Sequence, residues 1–131
     1  MKTKLLSTAT LLITLILLFT SCVYRDLWTD ATYTEDTTVG EGAKTVSVEI
    51  EAADKKITIT LKTDKATLGE ALFDLGIIND PSFFDTANGI KADWNKDGAY
   101  WAFYIGSDYA PHGVSDEAIS GGEAYRLVYT R

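Results

Sequence analysis

The sequence predicts an α+β domain, a mixed β-sheet with one short helix packed on one face. Three observations carry that expectation. Two runs alternate apolar and polar residues with period two: Val46, Val48, Ile50, and then Ile57, Ile59, Leu61. A Thr-x-x-Glu signature at Thr67 and Glu70 opens a stretch in which Leu68, Ala71, Leu72 and Leu75 recur at helical spacing. Two runs rich in aromatic and β-branched residues follow, AYWAFYI at 99–105 and AYRLVYT at 124–130.

In the first pair of runs the intervening residues, among them Ser47, Glu49, Thr58 and Thr60, are polar, so each reads as a strand with one face buried. The short polar link at 52–56, AADKK, makes the two a hairpin. In the helix, the Thr67 hydroxyl can accept an early N–H while Glu70 reaches back. Gly76 stops it near Leu75. A helix of about two turns is unstable alone, so packing on the sheet must hold it. Residues 82–87 are a short strand candidate ended by Asn88-Gly89. Residues 99–105 form the strongest strand, 124–130 close the domain, and Gly106, Gly113, Gly121 and Gly122 punctuate the links. Hairpin, helix, then further strands is the order of a β-grasp sheet.

Upstream, Lys2 and Lys4 precede an apolar run at 5–19, the basic and hydrophobic regions of a signal peptide. Thr20, Ser21, Arg25 and Asp26 close the run before the roughly 20 apolar residues that a spanning helix needs. Residues 18–22, Leu-Phe-Thr-Ser-Cys, resemble the lipobox of bacterial lipoproteins. Residues 1–21 are therefore expected to be a lipoprotein signal peptide, with Cys22 the lipidated residue. Cys22 is the sole cysteine, which excludes an intramolecular disulfide. Residues 22–43, rich in Thr, Asp, Glu and Gly without a sustained period, are expected to be the acylated Cys and a flexible tether, with Tyr24, Leu27, Trp28 and Tyr33 the residues in it able to dock on the domain. Residues 44–131 are the expected folded domain, placed outside the cytoplasm and anchored to the bacterial cell membrane through Cys22. The chain carries 12 Lys and Arg against 19 Asp and Glu, a net charge of −7 that deepens when Lys2 and Lys4 leave with the signal peptide. That balance argues against nucleic acid as a partner, because phosphate binding depends on cations.

In their order and spacing, TLGEAL at 67–72, NGI at 88–90, YWAFY at 100–104, GVSD at 113–116 and the closing stretch at 121–130 resemble the transcobalamin C-terminal-like family, a β-grasp group of exported bacterial proteins. The resemblance covers nearly all of 44–131. Two turns depart from it: Gly106-Ser107 stands where the family commonly has Asn-Gly, and Gly122-Glu123 where it has Gly-Asp. The resemblance implies a binding module, with a corrinoid such as cobalamin as the implied ligand. In the cobalamin carriers of animals the related domain covers one face of a corrinoid held by a second, helical domain, and these 131 residues show no such partner.

Several constellations bear on chemistry. Asp93, Asn95, Asp97 and Gly98 match the opening of a calcium loop, but the twelfth position is Tyr104 rather than an acid. A polar turn between strands is the expected structure there, and no metal is expected. Strand alternation puts Trp101 and Phe103 on one face and Tyr100 and Tyr104 on the other. One set is core; the other, joined by Trp94, is either a half-exposed platform for a flat ligand or a partner, or is itself buried under the helix and loops. His112, the only histidine, lies in a Pro-Gly turn and reads as solvated, with an imidazole available to a ligand. The ligand-binding candidates are thus Trp94, Tyr100, Trp101, Tyr104, Tyr109 and His112. No nucleophile elbow, reactive thiol or phosphate-cradling loop accompanies them, so catalytic residues and an enzyme are not expected. Two roles remain: capture of a small ligand, or a protein- or glycan-interaction module of the cell envelope.

Overall fold

The computed structural model describes residues 26–131, and within them both alternating runs become strands. The elements are β1 (Thr37–Gly40), β2 (Lys44–Ala52), β3 (Lys55–Thr63), α1 (Leu68–Asp74), β4 (Thr86–Ala87), β5 (Ile90–Lys91), α2 (Trp94–Asp97), β6 (Tyr100–Ile105), β7 (Asp108–Tyr109) and β8 (Ala124–Thr130). Single 3-10 turns add Leu27–Asp30 and Val114–Asp116. Six strands form one mixed sheet in the order β1-β3-β2-β8-β6-β7, and β4 pairs with β5 alone. The α+β class, with one main helix on a mixed sheet, is as the sequence predicts.

Register explains the core. Ile57, Ile50, Leu127 and Phe103 align in one row across four strands, and Ile59, Val48, Tyr125 and Ile105 in the next. These residues share the buried side with Leu68, Ala71 and Leu72 of α1. Thr67 caps that helix, its Oγ1 accepting from the Glu70 amide at 3.2 Å. The Thr67 backbone bridges Ala118, which ties the helix start to the segment before β8. Gly69 lets α1 lie against neighbouring backbone: a Cβ there would stand 2.5 Å from the Pro81 carbonyl oxygen.

Three expectations change. The hairpin link shrinks to Ala53-Asp54, because Ala52 and Lys55 already pair, and Ala53 takes a positive φ of 54° to close the turn. Of the strand expected at 82–87 only Thr86–Ala87 forms, paired with β5 across Asn88-Gly89, where φ values of 51° and 78° suit the tight hairpin turn. Side chains replace the ladder before it: Asn79 Oδ1 accepts from the Asp85 and Thr86 amides, and Asp80 Oδ1 from those of Ser82 and Phe83.

The third change concerns the expected tether. From Asp26 onward it is part of the fold. Asp26 caps the turn Leu27–Asp30, and Trp28, 7% exposed, donates its indole N–H to the Ala52 carbonyl at 2.9 Å. β1 adds a parallel edge strand beside β3. A polar, aperiodic stretch is thereby held by one buried aromatic and a four-residue ladder. The signal peptide at 1–21 and Cys22 lie outside the described residues. No helix among the described residues is long and apolar enough to cross a membrane.

Candidate functional site

β6 is the spine of the candidate site, because its two neighbours differ in length. β8 pairs with all six of its residues. β7 pairs only with Tyr104 and Ile105, after which the Ala110 amide still reaches the Phe103 carbonyl and Pro111 turns the chain away. The gap left beside the first half of β6 is a cavity of about 420 Å³, walled by Phe83, Tyr100, Trp101, Tyr109, Pro111 and His112. A second cavity, of about 310 Å³, shares Phe83 and Tyr100 with it and adds Lys91, Trp94 and Asn95.

The six ligand-binding candidates therefore divide. Tyr100, Trp101, Tyr109 and His112 meet at the larger cavity. Trp94 lies at the smaller one, its ring edge-on to Tyr100 with centroids 6.0 Å apart. Tyr104 borders neither cavity. It lies on the outer face of the sheet, 5.5 Å from the Tyr109 ring and beneath Arg126, whose guanidinium is 5.1 Å from its centre. Arg126 is held in turn by Glu49 and Glu51 at 3.3 and 2.8 Å, and the Glu51 bond first of all raises its pKa further. Trp101 is a wall rather than a presented group, since its indole N–H is spent on the Ile90 carbonyl at 3.0 Å.

His112 is not simply solvated. Its Nε2 lies 2.7 Å from Glu117 Oε1, and Glu117 Oε2 accepts from the Tyr125 hydroxyl at 2.8 Å. Burial, and then the Glu117 carboxylate beside it, push the Tyr125 phenol well above its ordinary range, so it stays a donor. A carboxylate that accepts on both oxygens orients the imidazole with Nε2 as the donor. Nδ1 is then the ring nitrogen not bonded to Glu117, on a residue that lines the cavity. The chain Tyr125–Glu117–His112 fixes the segment that closes the cavity opposite Phe83.

Of the calcium-loop residues, Asp93 and Gly98 shape a helical turn. Asp93 caps α2 by accepting from the Lys96 amide at 3.0 Å, and Gly98, at φ 65°, ends that helical turn. The expected polar turn is thus a capped single helical turn. Among the described residues no group of three or more His, Cys, Asp or Glu is gathered to hold a metal ion. Sequence reasoning missed Phe83, Phe84 and Glu117. The adjacent Phe pair in a Ser-, Asp- and Pro-rich segment was a signal for the first two, because two large apolar residues there have no strand or helix to bury them. Nothing local marked Glu117, whose partners come from two other segments.

An aromatic-walled cavity with one oriented imidazole and few other polar groups suits binding of a flat, largely apolar molecule. At about 420 Å³ it is at the small end of ligand pockets, which span roughly 300–1,000 Å³.

No family model matches the chain, and no curated protein does. Solved structures do. A "putative metal binding protein" from Ruminococcus gnavus superposes with a TM-score of 0.62 at 22% identity, over 68% of this chain and 98% of that one. Haptocorrin in complex with Cbi aligns with a TM-score of 0.47 at 13% identity, over 71% of this chain and 26% of that chain. At these identities the first likeness speaks to fold alone.

Proposed function

We propose that this chain is an extracytoplasmic binding module, held at a bacterial membrane by acylated Cys22, which captures a small flat ligand in the cavity beside β6. The single observation that carries the reading is that cavity itself: about 420 Å³ between Phe83 and the Tyr109–His112 segment, with aromatic walls and an imidazole at its rim. A corrinoid, the ligand implied by the sequence resemblance, is the first to test. Tyr100, Trp101 and Tyr109 would pack against the ring and His112 would face its edge or its metal, while the cobalt chemistry would belong to the corrinoid. The proposed role is binding rather than catalysis.

Absorbance and calorimetric titration of the purified chain with cobalamin and cobinamide tests the corrinoid version. Native mass spectrometry of protein taken from its own host tests the wider one. Saturable binding that weakens when Tyr109 is replaced supports the reading, whereas no ligand by either route counts against it. A second reading has its own support. Phe83 is 94% and Tyr109 65% exposed, the kind of aromatic rim that a protein or glycan partner of the envelope would cover.

A further inference from the structure

Among the described residues the fold begins at Asp26. Asp26 follows Cys22 by four residues, which extend at most about 14 Å. Asp26 already caps the turn whose Trp28 is fixed to Ala52. An acylated Cys22 therefore holds one particular end of the sheet close to the membrane, the end where Lys55, Ala52, Tyr129 and Trp101 lie in successive strands.

That end differs from the rest of the surface. It presents the Trp94–Tyr100 pair, 66% and 41% exposed, at the start of β6. Of the nine Lys and Arg among residues 26–131, five gather there, all exposed: Lys55, Lys56, Lys91, Lys96 and Arg131. Asp26, Asp30, Glu51, Asp54, Asp85, Asp93 and Asp97 accompany them, so this end carries seven acids against five cations. The other twelve acids lie elsewhere against four cations. A bilayer with anionic headgroups repels the bulk of the domain and tolerates this end, so anchor and field favour one orientation.

We infer that this end is a membrane-contact face. Trp94 and Tyr100 rest at the boundary between headgroups and acyl chains, where amphipathic rings are favoured, and the five cations meet lipid phosphates. Tyr109 pairs with Tyr104, about 13 Å along β6 from Tyr100, so that wall of the larger cavity stands back from the contact face while Tyr100 borders both. The inference rests on the acylation of Cys22 and does not depend on which ligand the cavity holds.

The test uses the full chain matured by a bacterial host and reconstituted into vesicles of phosphatidylethanolamine and phosphatidylglycerol, with or without bromine on the acyl chains. Trp28 and Trp101 are buried, so Trp94 is the tryptophan that bromine can reach. Brominated lipid should quench at least about a quarter of the emission of the native protein and none of that of Trp94→Phe. Reversing Lys55 and Lys96 to Glu should reduce the quenching at least about twofold. Equal quenching of native protein and Trp94→Phe, or none in acylated protein that floats with the vesicles, overturns the contact face alone. A mass showing bare Cys22, or failure to float, overturns the anchor reading and the contact face with it. Circular dichroism of each variant confirms that its fold is intact.

Discussion

Replacing Trp28 with Ala separates a folded start from a tether, because the two make opposite predictions. Trp28 is 7% exposed, donates its N–H to Ala52 at 2.9 Å, and carries the Lys55 ammonium 4.9 Å above its ring. Truncating a buried Trp or Phe to Ala costs about 3–5 kcal/mol. The orphaned Ala52 carbonyl adds about 1 kcal/mol. A total of about 4–6 kcal/mol, with a urea slope of about 2 kcal/mol per molar, moves the unfolding midpoint down by about 2–3 M. Trp28→Phe, which keeps a ring and loses the donor, should cost about 1–2 kcal/mol. The control is Trp94→Ala, at a 66% exposed position, expected within about 0.5 kcal/mol of native. Equilibrium urea unfolding followed by far-ultraviolet circular dichroism reads all three. A midpoint shift below about 0.3 M for Trp28→Ala would refute the placement of residues 26–31 in the core.

The other predictions are shorter. Asn88 is fully buried and pairs both ways with the Tyr33 backbone, at 2.9 Å each, so Asn88→Ala should cost about 2–3 kcal/mol in the same assay. Asp93→Ala should cost about 1 kcal/mol through loss of the α2 cap, while calcium leaves the native melting temperature unchanged. Glu123 accepts from the Ser120 and Gly121 amides, and chiefly the Ser120 bond holds its carboxyl below the ordinary glutamate value of 4.5. The unfolded chain then takes up this proton at higher pH than the folded one. The stabilisation is full above 4.5 and fades as pH falls through the lowered folded value, so Glu123→Gln should flatten that limb of stability against pH. Identical limbs for the two proteins would remove Glu123 as its source. Tyr109→Ala should weaken ligand binding about tenfold by titration and leave stability within about 0.5 kcal/mol.

What the sequence made legible was whatever rests on local period. Nine-residue strands with strict alternation fix β2, β3 and their register, because a one-residue slip would turn every valine and isoleucine toward water. The Thr67 cap and the Asn88-Gly89 turn were equally readable, since short-range geometry alone selects those residues. β1 was not. Its four residues, TTVG, carry a single apolar side chain, and it is a strand only because β3 lies alongside. Trp28 stands out in polar sequence as a residue able to dock, but its partner, Ala52, 24 positions away, is not legible there. At the site, alternation correctly separated Trp101 and Phe103 from Tyr100 and Tyr104. It could not show that Pro111 would cut β7 short, nor that Glu117 would join His112 to Tyr125. The cavity is a gap between segments, and no run of residues encodes a gap.

The position of β8 sets the timing of folding. It lies between β2 and β6, and Arg126 within it reaches Glu49, 77 positions earlier in the chain. Until the ribosome has supplied those seven residues, the β2–β3 hairpin and β6 have nothing to join them, and each fragment shows water an unmatched strand edge. Closure of so long a loop comes late and makes assembly slow, in the millisecond-to-second range typical of sheets built from distant pairings. Until β8 is in place, the edges of β2 and β6 that it covers stay open to pairing with other chains.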